Sequence, residues 1–526
     1  MVYRNLDNIQ TTVRTPKVLL LNPPDDEHSY KLFRASFPLG LCYLGTYLKK
    51  EKYQVKIVDA KVGNIKRVPL EKEGMVRVGL SLNEIENIIN DFSPDVLGLS
   101  CIFHTNFNPT LDIAKLAKTK CHIPYVVAGG SYASVVPKKI MESPYIDYLV
   151  LGEGEVTFEK LLQKLFNPTG NQELGDLDGV VLRDNDGKVC VKNRTEYISS
   201  DEFFTPNRDF LPVEKYIKFR SPHNILSRGH RALEVITSRG CNARCTFCSA
   251  PLLWGKFRMR SVKGIIDELK FLKEKYHIDE VQFIDDNLTF DKKRAEDLFQ
   301  RMIDDKLNLK WCAPNGIAIH TLDENLIRLM KESGCYLVTL AIESGSQRVL
   351  TELIKKPLLL EKVHATVKLL KKYKLAAEAF FVIGMPGETF EEIKKTFDLA
   401  FKLGIFRAHF SYITPIPSTP VYKTYLELKR HNASDSSTTD LIDESCFDFR
   451  FPAISTKEWT NKQLKRYTSI LSFKFYLKFL ILKPHIFIKE VSLIISRPKL
   501  LLGLMVIFKD VILGNLLSKE KVTVNE

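Results

Sequence analysis

Ser238-Arg239-Gly240-Cys241-Asn242-Ala243-Arg244-Cys245-Thr246-Phe247-Cys248 carries three thiols separated by three and then two residues. It directly follows Leu233-Glu234-Val235-Ile236-Thr237, an apolar run that predicts a strand. A loop leaving a strand end folds thiols at this spacing onto one small object, and soft thiolates select an iron–sulfur cluster, zinc or copper(I). Three ligands leave one corner of a cubane open to a chelating small molecule. The alternative is a zinc knot completed by a distant histidine, but no histidine stands near the triplet at knuckle spacing.

Downstream of the triplet, strands alternate with amphipathic helical runs. Strands are expected at Leu233–Thr237, Glu280–Ile284, Lys310–Ala313, Tyr336–Ile342, Glu378–Ile383 and His409–Thr414. Between them lie patterns such as Ile265, Ile266, Leu269 and Leu272 with lysines on the opposite face. Six βα units are too few for a closed eight-stranded barrel, so an open arc is expected, with site residues at the strand carboxyl ends. Those ends carry Asp285-Asp286-Asn287, Glu343-Ser344-Gly345 and Gly384-Met385-Pro386-Gly387-Glu388. Each has a plainer reading, as a helix cap or an ordinary turn before a helix.

Upstream, five more strands alternate with helices: Lys17–Leu21, Gln54–Val58, Asp95–Ser100, Tyr125–Ala128 and Tyr148–Leu151. This rhythm predicts a doubly wound, Rossmann-like parallel sheet that binds its ligand outside the strand carboxyl ends. Gly129-Gly130 and Gly152-Glu153-Gly154-Glu155 stand at two of those ends, where they are expected to let backbone approach a large flat ligand. Residues 167–230 read as a linker packed between domains, holding a hairpin around Asp184-Asn185-Asp186-Gly187. The fold class is therefore α/β, with a Rossmann-like sheet (1–166), the linker, a partial (βα)6 barrel (231–425) and a small helical C-terminal region (426–526).

Composition is that of a globular chain: 526 residues, 44% hydrophobic and 27% charged. Outside the triplet the cysteines stand alone, mostly within apolar runs, and read as small core residues in a reducing compartment. The polar N-terminus lacks the apolar core of a signal peptide, so the cytoplasm is expected. The net charge is +14, and from Thr456 onward thirteen Lys or Arg face five acidic residues. Because long aliphatic and aromatic side chains are interleaved with them, this tail suits an anionic membrane surface or lipid-like ligand rather than nucleic acid. Its longest uncharged apolar run, Leu500 to Phe508, is far short of the ~20 residues of a spanning helix. It reads as short helices broken at Pro484 and Pro498, capping the substrate opening and touching a membrane peripherally.

Cys-x3-Cys-x2-Cys, with Phe247 before the last cysteine, resembles the cluster motif of the radical S-adenosyl-L-methionine (AdoMet, or radical SAM) enzymes. The N-terminal pattern, with Pro38-Leu39-Gly40-Leu41 and the Gly-Glu-Gly-Glu turn, resembles the cobalamin-binding domain that precedes many of them. The resemblance implies a [4Fe-4S] cluster on Cys241, Cys245 and Cys248. It implies AdoMet near Phe247, Asp285, Asp286, Asn287, Glu343, Ser344, Gly384, Gly387 and Glu388, and cobalamin near Ser100, Gly129, Gly130, Gly152 and Glu153. It further implies a 5′-deoxyadenosyl radical, methylcobalamin as methyl donor, an external flavodoxin- or ferredoxin-class electron donor and a small, hydrophobic substrate. Ring closure, carbon–carbon coupling or oxidative rearrangement with the same cofactors is the alternative outcome, and a non-catalytic metal or redox sensor is a third. One departure from the pattern matters. Where other cobalamin proteins carry Asp-x-His-x-x-Gly after the second strand, this chain has Asp59-Ala60-Lys61-Val62-Gly63, so a bound cobalt is expected to lack a histidine below it.

Overall fold

The computed structural model describes residues 15–28, 36–63, 65–71, 74–167, 174–219, 227–432 and 450–495. Its strands are β1 (Lys17–Asn22), β2 (Asp25–His28), β3 (Gln54–Asp59), β4 (Lys66–Pro69), β5 (Met75–Gly79), β6 (Val96–Ser100), β7 (Tyr125–Gly129), β8 (Tyr148–Val150), β9 (Val180–Arg183) and β10 (Val189–Val191). They continue as β11 (Ala232–Val235), β12 (Ser238–Arg239), β13 (Arg258–Met259), β14 (Glu280–Phe283), β15 (Lys310–Ile317), β16 (Cys335–Glu343), β17 (Ala376–Ile383) and β18 (Ala408–Tyr412).

The first sheet has the order β10-β9-β8-β7-β6-β1-β3. β6 is buried along its whole length, as a parallel strand covered by helices on both faces must be. The chain runs from β1 outward to β3 and returns to β6 on the other side, so the order reverses at β1 and β6, where such sheets open a ligand crevice. Two features depart from the sequence expectation. The hairpin read as part of a linker packed between domains belongs to this sheet: β9 pairs antiparallel with β8, and β10 with β9. A separate antiparallel sheet, β2-β5-β4, was not expected, because Asp25-Asp26-Glu27-His28 shows no apolar alternation.

The second sheet is β11-β14-β15-β16-β17-β18, six parallel strands in chain order, the open arc expected from the sequence. The helix Val262–Tyr276 shows why it packs. Ser261 caps it by accepting a hydrogen bond from Gly264 N–H, and Ile265, Ile266, Leu269 and Leu272 are buried on its core face. Burying each of these side chains contributes about 2 kcal/mol, so Leu269→Asp would break the packing. Trp311 anchors the arc, stacked 4.8 Å from Phe299 and edge-on to Phe283.

Among the described residues, only the start of the C-terminal helices reaches the strand ends, where Leu464 packs against Gly384 after β17. Asn461–Leu482 lies along the outer wall, where Phe475 packs on Phe397 and Phe410, and Phe479 on Phe401 and Phe406. Pro484 starts the next helix, Pro484–Ile495, as its missing N–H allows. The break at Pro498 and the run Leu500–Phe508 lie outside the described residues.

Candidate active site

The cysteine loop leaves β12 at the carboxyl end of the arc. β12 pairs with β13, and Gly240 N–H donates to Asp286 Oδ2 at 3.2 Å. Thr246 ties the loop down, its N–H donating to Ile354 O (2.9 Å) and its hydroxyl to Leu353 O (2.7 Å). Phe247 packs with Cys245 against the cluster of Val349, Leu350, Ile354 and Met385, so it seats the loop. Cys241, Cys245 and Cys248 are half-buried free thiols. Burial pushes the Cys245 thiol up to about 12, with the nearby Lys356 charge opposing the rise. Such a thiol is stable as thiolate only when a metal takes the charge. Among the described residues no three His, Cys, Asp or Glu side chains are gathered around one metal ion. A cubane spreads its three thiolates over three irons and needs a wider set, and a half-buried, three-thiol loop with no fourth cysteine suits it.

The strand ends divide into two groups. Glu343 faces the loop. A register shift in β16 turns it, its φ is +72°, and its Oε1 lies 2.9 Å from Lys356 Nζ. Lys356 was not identified in the sequence. It follows the wide-turn helix Val349–Ile354, and the Lys355-Lys356-Pro357 step after a strand end is the signal that was available. Burial disfavours its charge, but Glu343 and the Cys245 thiol hold its pKa above the usual lysine value. Asp286 also faces the loop. Burial, with the neighbouring Asp285 charge adding, lifts its carboxyl to about 6 against the Gly240 hydrogen bond. Asn287 is buried beside it, and among the described residues its Oδ1 accepts no hydrogen bond.

The other strand-end residues are turned inward. Asp285 is closed onto the step between β11 and β12, accepting from Thr237 N–H, Thr237 Oγ1 and Ser238 Oγ. Ser344 is fully buried against Thr396 and accepts from Ser346 N–H. Glu388 folds onto its own turn, accepting from Gly384 N–H at 2.7 Å and Met385 N–H at 3.2 Å, and burial lifts its carboxyl to about 8. Trp459 Nε1 donates to the Glu388 carbonyl, so the segment after β18 packs over Gly384 and Gly387-Glu388.

In the first sheet, Gly130 and Gly152 pack closely against the protein's own backbone. Gly130 has φ +102° and a Cβ there would meet Cys101 O at 2.6 Å; Gly152 has φ +64° and a Cβ would meet Leu253 O at 2.6 Å. Gly129 closes β7 opposite Val150, and Ser100, at the end of β6, is buried opposite Gly129. At the end of β3, where a histidine would stand, Lys61 Nζ pairs with Asp25 Oδ2 at 2.6 Å, both largely buried. His104 is half-buried after β6.

Glu153 does not line an open cradle. It accepts from Arg194 (3.1 Å) and Arg258 and lies 3.5 Å from Arg239, while Arg239 Nη2 donates to Glu155 at 2.7 Å. Burial opposes ionisation of Glu153, but Arg258, Arg239 and Arg194 hold its carboxyl below the usual range. The Gly-Glu-Gly-Glu turn of the first sheet is thereby fastened to the residue two positions before Cys241.

The B12 binding domain matches residues 35–162 and the Radical SAM superfamily residues 235–400. The chain is 37% identical to cytidylyl-2-hydroxyethylphosphonate methyltransferase of Streptomyces wedmorensis, over 77% of this chain and 80% of that one. This chain belongs to the cobalamin-dependent radical SAM methyltransferases. It is also 32% identical to an uncharacterized methyltransferase of Pyrococcus horikoshii, over 91% of this chain and 95% of that one. The cobalamin-dependent AdoMet radical enzyme OxsB, solved with aqua-cobalamin and AdoMet, shares the fold with a TM-score of 0.69 at 17% identity, covering 96% of this chain and 75% of that one. As in the rest of the family, the cofactors are a [4Fe-4S] cluster, AdoMet and cobalamin.

Proposed function

We propose that this enzyme methylates an unactivated carbon of a small, hydrophobic, lipid- or isoprenoid-like substrate between the two sheets. The observation that carries the methyl-transfer reading is the contact of Arg239 with Glu153 and Glu155, which sets the carboxyl ends of the cobalamin-binding sheet over the cysteine loop. Cys241, Cys245 and Cys248 would hold the cluster, and Glu343, Asp286 and Asn287 would face AdoMet. The bound cofactors supply a 5′-deoxyadenosyl radical and a methyl group. The protein's part is to hold geometry and exclude water. Asp286 pins Gly240, Lys356 orients Glu343, and the Lys61–Asp25 pair fills the place of a histidine donor.

The hydrophobic substrate and a peripheral membrane site are supported by the outer side of the C-terminal helices. There Phe473 is 68% exposed, and Ile481, Leu482 and Ile488 are each 64% exposed. Lys474, Lys478 and Lys489 stand among them, the pattern of an interfacial helix on an anionic cytoplasmic leaflet. Among the described residues no helix is long and apolar enough to cross a membrane. A flavodoxin- or ferredoxin-class protein would supply the electron.

The test is product mass. Reconstituted enzyme, reductant and methyl-deuterated AdoMet are incubated with isoprenoid lipid fractions. A lipid gaining a deuterated methyl group supports methylation. Loss of hydrogens without methyl gain would establish the ring-forming or oxidative alternative, and reaction confined to polar substrates would sink the lipid assignment.

A further inference from the structure

The two cofactor regions are joined by a continuous path of contacts, most of it buried or partly buried. Ser134 Oγ donates to Gly130 O and accepts Gly152 N–H, both at 2.8 Å. Gly152 lies against Leu253 O, in the short helix Ala250–Trp254 that follows Cys248. Glu153 then meets Arg194, Arg239 and Arg258, and Glu155 meets Arg239. These five side chains are almost completely buried.

Rings close the network. The Arg239 guanidinium lies 4.8 Å from the Tyr43 ring centroid and 5.2 Å from that of Phe203, and Arg194 and Arg258 lie over Tyr197. Stability alone explains such an arrangement poorly, since a buried charge network contributes little more than apolar packing of the same volume. What it does supply is a fixed register, because forked guanidinium–carboxylate bonds tolerate little displacement.

We propose that Glu153 and Arg239 are positioning residues that set the distance and orientation of the cluster loop relative to the corrin-binding sheet. Neither touches the reacting atoms. The inference rests on the methyl-transfer reading only in requiring that both cofactors be bound.

The experiment uses full-length enzyme, reconstituted with iron, sulfide and cobalamin, without substrate. The first readout is relaxation of the cob(II)alamin paramagnetic signal by the reduced cluster, which reports their separation. The second is 5′-deoxyadenosine released from AdoMet under reductant. In Glu153→Gln we expect wild-type iron and corrinoid content, a broadened spread of relaxation rates, and unproductive AdoMet cleavage changed by up to roughly a hundredfold, since about 1 Å of misplacement has effects of this order. If Glu153→Gln does not fold, Arg239→Lys, which keeps the charge and loses the fork, decides on the same readouts. A foldable variant with wild-type relaxation and cleavage overturns the proposal. A wild-type enzyme that takes up cluster but no corrinoid would instead refute the methyl-transfer reading.

Discussion

Lys356 Nζ stands 2.9 Å from Glu343 Oε1, both side chains largely buried, beside the loop that carries Cys245. A residue held at positive φ on a strand bulge and a lysine after a wide helical turn are thus fixed on each other at the cluster's edge.

Removing that lysine leaves a buried carboxylate without its partner. Lys356→Met is expected to destabilise the protein by about 3 kcal/mol. Anaerobic urea unfolding measures this, and an unchanged midpoint would mean that the pair carries no stability.

The cluster assignment separates three cysteines from the rest. Alanine at Cys241, Cys245 or Cys248 should abolish iron and sulfide uptake on reconstitution. Alanine at the fully buried core residue Cys335 should leave both at wild-type level. Iron retained after any of the first three changes would contradict the assignment.

Glu388 gives a pH dependence whose sign is fixed. Burial lifts its carboxyl from the ordinary 4.5 to about 8, so the protonated form is favoured in the fold. Its contribution is fully present below pH 4.5 and is lost as pH rises toward 8. Glu388→Gln should flatten the fall in Tm across this window, measured by calorimetry at several pH values. An identical slope in wild type and variant would rule the group out.

The exposed face of the Asn461–Leu482 helix predicts binding to anionic vesicles. Replacing Lys474 and Lys478 by glutamine should weaken binding to phosphatidylserine-containing vesicles by roughly thirtyfold, at ~1 kcal/mol for each lysine lost. Sedimentation with the vesicles measures it, and equal binding by wild type and variant would discount a membrane role for this face.

Strand alternation and strand-end chemistry were legible in the sequence because both are local. The apolar runs beginning at Leu233, Glu280 and Tyr336 announce themselves by length and flanking turns, and the six-strand arc follows. The β2-β5-β4 sheet was not legible, since Asp25–His28 and the exposed Lys66–Pro69 carry no apolar alternation. Nor was the role of Glu153. Its partner Arg258 lies 105 residues away, and no spacing rule links a turn of one sheet to a strand beside another. Asp285, Ser344 and Glu388 were found at the right strand ends, but whether such a carboxylate or hydroxyl faces ligand or caps its own turn depends on packing that the motif does not specify.

The most direct test is the corrinoid content and cob(II)alamin paramagnetic spectrum of enzyme reconstituted without oxygen with iron, sulfide and cobalamin. Because Lys61 pairs with Asp25 where a histidine would stand, we predict stoichiometric corrinoid with no nitrogen splitting from a protein ligand. An intact cluster with no bound corrinoid, or a cobalt signal split by a histidine nitrogen, would contradict it.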